Sequence, residues 1–273
     1  MPGGPGKIMI GTSGFAYDEW VGRFYPAHLR RDGFLDYYAS RFPALEINGT
    51  YYRTPELASA ERMVRGARGR LLFAIKAPGA FTHEGDAAAL QPFLRYVAPF
   101  ADGGVLAAIL LQFPGALRPD AEGSERLRRA AALLKGLPLV AEFRSSLWDD
   151  HPLRSEALAR GFSLAVVDQP SLPSLGRSLR RAEGPLRYLR FHGRNSAQWF
   201  TGDNRTRYEY SYNEREMDEL ERATRTDAPA ATTTLAFFNN HAHGAAAENA
   251  VMLMERLGIA PVAHPHQGDL FGF

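Results

Sequence analysis

The sequence predicts an α/β protein folded as a single TIM-like (β/α)8 barrel. Eight short apolar runs rich in Ile, Val, Leu and Phe alternate, for the most part, with stretches of helical period. The chain has 273 residues, so eight strand–helix repeats fit into the roughly 250 residues such a barrel needs. Polar and charged residues gather at the carboxyl ends of the runs, where barrel proteins place their functional groups.

The runs follow in order. "KIMIGTS" from Lys7 is the first strand, and the connection from Ser13 to Gly33 after it is far longer than the few residues a βα loop takes. "FLDYYASRF" from Phe34 has helical period. In "ALEINGT" from Ala44, alternation puts Glu46, Asn48 and Thr50 on one face and Leu45 and Ile47 on the other. "LLFAIKAP" from Leu71 aligns Lys76 with Ala74 and Leu72; "VLAAILLQFP" from Val105 aligns Gln112 with Leu110 and Ala108. A helix, "SERLRRAAALLKG" from Ser124, precedes "LPLVAEFR" from Leu137, where Glu142 and Arg144 follow Val140. "FSLAVVD" from Phe162 aligns Asp168 with Val166 and Leu164. The Ser-, Pro- and Arg-rich segment from Gln169 to Pro185 is read as replacing a regular sixth helix. "LRYLRFHG" from Leu186 puts Tyr188, Arg190 and His192 on one face, and a second long connection runs from Gly193 to Tyr212. "TTTLAFFNN" from Thr232 and the helix "AAAENAVMLMERLG" from Ala245 complete the series. A doubly wound open sheet is the runner-up. It would need a G-x-G-x-x-G turn after the first strand, and "GTSGFAYDEW" lacks that spacing. The expected organisation is a loose Pro- and Gly-rich start at 1–7, the barrel at 8–259 and a tail at 260–273.

Composition narrows the function. With 45% hydrophobic and 23% charged residues and no apolar run able to span a bilayer, the expectation is a soluble protein without a membrane role. No apolar segment precedes a cleavage site near the start, which makes the cytoplasm the default location. The absence of cysteine excludes disulfides, thiolate metal ligands, iron–sulfur clusters and thiol nucleophiles. A net charge of +2 says little about partners.

The polar strand faces are expected to point into the barrel and converge at its carboxyl end. Glu142, His192, Asp168 and Lys76 are the candidates for catalysis. Around them, Thr12, Tyr17, Trp20, Glu46, Asn48, Gln112, Arg144, Arg190, Arg194, Tyr210, Asn239, Asn240 and Gly244 are the candidates for ligand binding. A bland reading competes: Glu46, Glu142 and Asp168 could form a buried ionic plug with Lys76, Arg144 and Arg190. A plug serving stability alone could be built from Val, Ile and Leu, which favours function for the set. Glu142, Asp168 and His192 have the composition of a single-metal site, but carboxylates paired around Arg190 are the preferred reading. No metal or cofactor is assigned. His28, His83 and His151 are read as surface or loop residues.

The ordered motifs "GTSGFAYDEW", "EINGTYYRTP", "FAIKAP", "LLQFP", "EFRSSLW", "RFHGR", "YEYSY" and "FNNHAHGAAAENA" resemble those of the YecE-like family, also known as domain-of-unknown-function family 72. The resemblance runs from about Ile8 to Leu257. It implies a TIM-like barrel and supplies no activity, because the family's biochemical role is not established. The suggested likeness of that barrel to apurinic endonucleases and xylose-isomerase-like enzymes is fold-level analogy. This sequence departs from the metal-dependent members of that wider group in placing only His192 at a strand end.

Arg and aromatic residues in the loops suit a phosphate-containing ligand, either a nucleotide or a nucleic-acid strand. The helix start after the eighth strand, with Asn240 and Gly244, is a second expected anion site. Three function classes follow. One is an enzyme, hydrolytic in kind, acting on a phosphate-containing substrate; another is a nucleic-acid binding module without chemistry. The third is a lyase or aldolase using Lys76 as a Schiff-base nucleophile, which neighbouring carboxylates would oppose by favouring the ammonium form. In the tail, Gln267, Leu270 and Phe271 resemble the Q-x-x-L-F peptide that docks on sliding clamps, and Phe273 extends the likeness to the longer Q-x-x-L-x-x-F form. The alternative is that these side chains pack against their own barrel.

Overall fold

The computed structural model describes residues 7–203, 205–225 and 233–261. The tail residues Gln267, Leu270 and Phe271, with their expected clamp contact, lie outside the described residues.

Nine parallel strands form one sheet: β1 (Ile8–Ser13), β2 (Ala44–Ile47), β3 (Leu72–Lys76), β4 (Leu106–Phe113), β5 (Leu139–Phe143), β6 (Ser163–Leu164), β7 (Val166–Asp168), β8 (Arg187–Phe191) and β9 (Thr234–Phe238). Their order is β6-β5-β4-β3-β2-β1-β9-β8-β7. The sixth apolar run supplies both ends of that order, because it breaks at Ala165. Its first half pairs with β5, Leu164 facing Ala141, and its second half pairs with β8, Val166 facing Leu189. The Ala165 N–H donates to the Ala141 carbonyl at 2.9 Å, so the run bridges the two edges and a TIM-like barrel closes through it.

Helices α1 (Phe34–Arg41), α2 (Leu57–Ala67), α3 (Leu90–Asp102), α4 (Ala121–Leu133), α5 (Leu153–Ala159), α6 (Glu214–Arg225) and α7 (Ala245–Leu257) surround the strands. Local chemistry sets several of their ends. Asp120 caps α4 by accepting from the Glu122 and Gly123 N–H groups. α6 opens with Glu214 and Glu216 and closes with Arg222 and Arg225, the polarity that the helix dipole favours. No helix forms between β7 and β8, as the Ser- and Pro-rich composition of that segment predicts.

Alternation along the strands divides the core in two. Ile10, Leu45, Ile75, Leu111, Leu189 and Phe238 face the helices. Met9, Ala44, Ala74, Leu110, Val140 and Phe237 fill the barrel interior. Small residues on β2, β3 and β4 leave interior space for the Tyr188 and Phe237 rings, 5.3 Å apart. Two expected site residues lie on the helix side instead. Asp168 continues the face of Phe162, Leu164 and Val166, all packed in the outer layer, while Ala165 points inward. Thr12 shares the face of Ile10, and its N–H and Oγ1 meet the Tyr38 hydroxyl of α1 at 2.8 and 3.0 Å. Among the described residues no helix is long and apolar enough to cross a membrane.

Candidate functional site

β2, β5 and β8 end in a buried charge cluster. Arg190 donates through Nε and Nη2 to both Glu46 oxygens, at 2.8 and 2.7 Å, in the fork geometry that suits guanidinium and carboxylate. Its Nη1 donates to Glu142 Oε2 at 2.6 Å, and Arg144 Nε lies 2.6 Å from Glu142 Oε1. Ser13 and Tyr188 each donate to Glu46 at 2.6 Å. His192 Nε2 sits 3.4 Å from Glu142 Oε1, and its Nδ1 is 3.1 Å from the Asn239 amide nitrogen. Glu142, Arg190 and His192 therefore converge inside the barrel.

This environment sets the protonation states. Burial alone would raise the two glutamates, but Arg190, with Arg144 at Glu142, outweighs it and holds both carboxyls below the usual range. Burial, reinforced by Arg144, pushes His192 down to about 3, so the ring is neutral at neutral pH. An Asn239 amide donating to Nδ1 leaves the proton on Nε2, facing Glu142; this tautomer follows from the hydrogen-bond network.

In front of the cluster opens a cavity of about 330 Å³, lined by Tyr17, Asn48, Lys76, Gln112, Arg190 and Asn239 together with Tyr51, Tyr52, His83, Arg207, Tyr208 and His241. It shares His83, Gln112, Arg207 and Tyr208 with a second, outer cavity of about 640 Å³, which adds Arg144, Leu147, Leu175, Trp199 and Phe200. No Asp or Glu is among the lining residues of either lobe. Lys76 Nζ lies 4.1 Å from the centroid of the Tyr51 ring. Burial, then Arg190 and Arg144, lower the Lys76 ammonium to about 7. Glu142 and Glu46 oppose this shift, as expected of neighbouring carboxylates, but burial and the two arginines with which they are paired outweigh them. Two buried lining atoms, Asn48 Oδ1 and Arg207 Nε, have no hydrogen-bond partner.

Several expected site residues have other duties. Asp168 accepts from Arg194 and, at 2.7 Å, from the Tyr212 hydroxyl, on the helix side of β7. Burial raises its carboxyl, and those hydrogen bonds offset this only in part. Arg194 also pairs with Glu219 of α6 at 2.8 Å, so its charge is already matched by carboxylates. Asp168 does not join Glu142 and His192, and no group of three metal-ligand side chains forms among the described residues. Trp20 is buried, its indole N–H donating to the His241 carbonyl at 2.9 Å. Tyr210 donates to Glu216 of α6. The Asn240 amide nitrogen is committed to the Tyr210 carbonyl and Asn249, and Gly244 packs near Arg23 and Trp20. The space beside that helix start includes Glu209 and Glu248, whose charge opposes an anion.

His83, Arg207 and Ser13 join the site although strand alternation does not single them out. A single π-helical turn, Ala80–Glu84, carries His83 back over the mouth, where its Nε2 is 3.3 Å from the Tyr51 hydroxyl. The signal that could have found His83 is its place soon after the carboxyl end of β3.

The sequence comparisons agree with this architecture. Residues 9–269 match the family described as protein of unknown function DUF72. The UPF0759 protein YunF of Bacillus subtilis (strain 168) is 26% identical over 284 residues, spanning 97% of this chain and 100% of that protein. The crystal structure of a DUF72 family protein from Thermotoga maritima MSB8 superposes with a TM-score of 0.85 at 32% identity, covering 92% of this chain and 99% of that one. One from Enterococcus faecalis V583 gives a TM-score of 0.83 at 26% identity, covering 96% and 100%. With the family matched over nearly its whole length and the same barrel seen in these relatives, this chain belongs to the DUF72 family.

Proposed function

We propose that the barrel mouth binds a small phosphate-containing molecule, its phosphate in the inner lobe and its organic part in the outer lobe. The observation that carries this is the lining itself: Lys76, Arg190 and Arg207 face the inner lobe and no carboxylate does. Glu46 and Glu142 neutralise much of Arg190 and Arg144, leaving Arg207, and Lys76 in its protonated form, as the surplus cations. The volumes suit a nucleotide-sized ligand. Trp199, Phe200, Leu147 and Leu175 give the outer lobe an apolar wall for a base or another flat group. A small molecule is favoured over a nucleic-acid strand because Trp20, Tyr25 and Tyr212 are buried within their own loops and offer no stacking platform. The reading is one of binding. Glu142 and Asp168, the expected bases for hydrolysis, do not line the cavity.

Titration calorimetry with inorganic phosphate, a nucleoside monophosphate and a short oligonucleotide tests this. Phosphate and the monophosphate should bind. Arg207→Gln should weaken both about tenfold, the loss of one charge-assisted hydrogen bond at about 1.4 kcal/mol, with little change in thermal stability. Absence of binding at millimolar concentration, or affinity indifferent to Arg207→Gln, would refute the reading. Preference for the oligonucleotide would favour a nucleic-acid module.

A further inference from the structure

We propose that Lys76 is a nucleophilic amine that condenses with the carbonyl group of a small anionic aldehyde or keto compound held in the inner lobe. The anionic class of the substrate rests on the binding reading above; the amine chemistry stands on separate observations.

The side chain leaves the last residue of β3, lines the inner lobe and is 9% exposed. No carboxylate holds it: Glu46 is taken by Arg190, Ser13 and Tyr188, and Glu142 by Arg190 and Arg144. The groups facing Lys76 are then Arg190, Arg144, Glu142, Glu46, His83 and the Tyr51 ring. Their balance, with burial, lowers the ammonium to about 7, so a large share of the amine is uncharged at neutral pH and has the free lone pair a nucleophile needs. Residue usage adds an independent point. Of 32 basic residues only three are lysines, Lys7, Lys76 and Lys135. The chain uses arginine almost everywhere a cation suffices, yet keeps lysine at this buried strand end. Arginine stays protonated and cannot serve as an amine nucleophile.

In the step, the Nζ lone pair attacks the carbonyl carbon and the C=O π pair moves to oxygen. Proton transfer gives a carbinolamine, and loss of that oxygen as water gives the imine, so amine plus carbonyl compound become imine plus water with no redox change. Departure of water needs an acid. Tyr51, whose ring Nζ approaches, has its hydroxyl 3.3 Å from His83 Nε2, and His83 Nδ1 is 3.0 Å from Thr82 Oγ1. This chain is placed to deliver and recover the proton.

The scarcity of lysine makes the test clean. The intact protein is incubated with glyoxylate or glycolaldehyde phosphate plus cyanoborohydride, which reduces any imine to a stable secondary amine, and the adduct is located by peptide mass mapping. Lys76 should be modified at least tenfold over the exposed Lys7 and Lys135, at a rate that rises with pH through about 7 as the amine deprotonates. Lys76→Arg should abolish the adduct, because a guanidinium cannot form the imine. Adduct spread evenly over the three lysines, or none at Lys76 in protein that binds phosphate, overturns the amine and leaves the binding reading standing. Neutral glycolaldehyde reacting at Lys76 as fast as its phosphate, with no protection by inorganic phosphate, overturns the anionic substrate class and leaves the amine.

Discussion

His192 is fully buried, its Nδ1 hydrogen-bonded to Asn239 and its Nε2 3.4 Å from Glu142 Oε1. Its folded pKa, about 3, lies below the ordinary 6.5, so as the pH falls the unfolded chain takes up a proton that the folded chain refuses. The resulting stability is present above pH 6.5 and is lost on acidification, at up to about 1.4 kcal/mol per pH unit. His192→Gln should flatten this slope. Between pH 6.5 and 4.5 wild type should lose roughly 2 kcal/mol more than the variant in urea midpoints, while Glu46 and Glu142, whose contribution begins to fade toward 4.5, act in the same sense in both proteins. His83, also lowered, acts in the same sense in both proteins. Parallel pH profiles would show that His192 is not the titrating group. Lys76 gives a signature of the same sign at higher pH. Its pKa falls from 10.5 to about 7, so at neutral pH the folded state carries a cost that fades toward pH 10.5. Lys76→Met should therefore stabilise the fold at pH 7 by roughly 1–3 kcal/mol, and by less at pH 10. A loss of stability would mean that Lys76 is structural. At this scale alternation made Glu142, Arg190 and His192 legible, because a one-residue spacing fixes a face. The same rule, applied to the more apolar face of "FSLAVVD", puts Asp168 outside. Its acidic side chain drew it toward the site, whereas Phe162, Leu164 and Val166 decide the face.

Between strands, the closest backbone approach that a side chain would disturb lies at Gly11. A Cβ there would stand 1.9 Å from the Ala44 carbonyl oxygen of β2 and 3.0 Å from the Tyr38 hydroxyl. That hydroxyl, in turn, donates to the Ala44 carbonyl and receives the Thr12 N–H, tying α1 to both strands. Relief would require β1 and β2 to separate, so Gly11→Ala should cost about 3 kcal/mol in chemical denaturation. A change below 1 kcal/mol would show that the strands adjust freely. Gly11 is not legible as a contact from sequence, since nothing local says which backbone will lie against it. The split of the sixth run at Ala165 is hidden for a similar reason. Seven residues with continuous apolar character read as one strand, and only closure of the barrel makes its halves pair with different neighbours. The long loops show the converse. Their length was legible, but whether their aromatics meet a ligand or each other depends on packing, as in the Tyr25–Phe34 stack at 4.0 Å.

Across the whole molecule, the charges at the mouth link fold stability to the proposed phosphate site. Glu142 lies between Arg190 and Arg144 behind a cavity whose lining carries cations and no carboxylate. Replacing it with glutamine leaves two buried guanidinium groups less well matched. Breaking one partner from a buried charge pair costs about 3–5 kcal/mol, mostly through the charge left behind. The same substitution adds one net positive charge next to the inner lobe, in surroundings where solvent screens it weakly. Glu142→Gln should therefore move two properties in opposite directions: the urea midpoint falls, while phosphate binds severalfold more tightly. Both are measured on one preparation at fixed salt, so a misfolded sample would reveal itself by losing both. A variant with unchanged stability would show that the cluster is not coupled to the fold. One that is destabilised but binds phosphate no better would show that the charge behind the cavity does not govern what enters it.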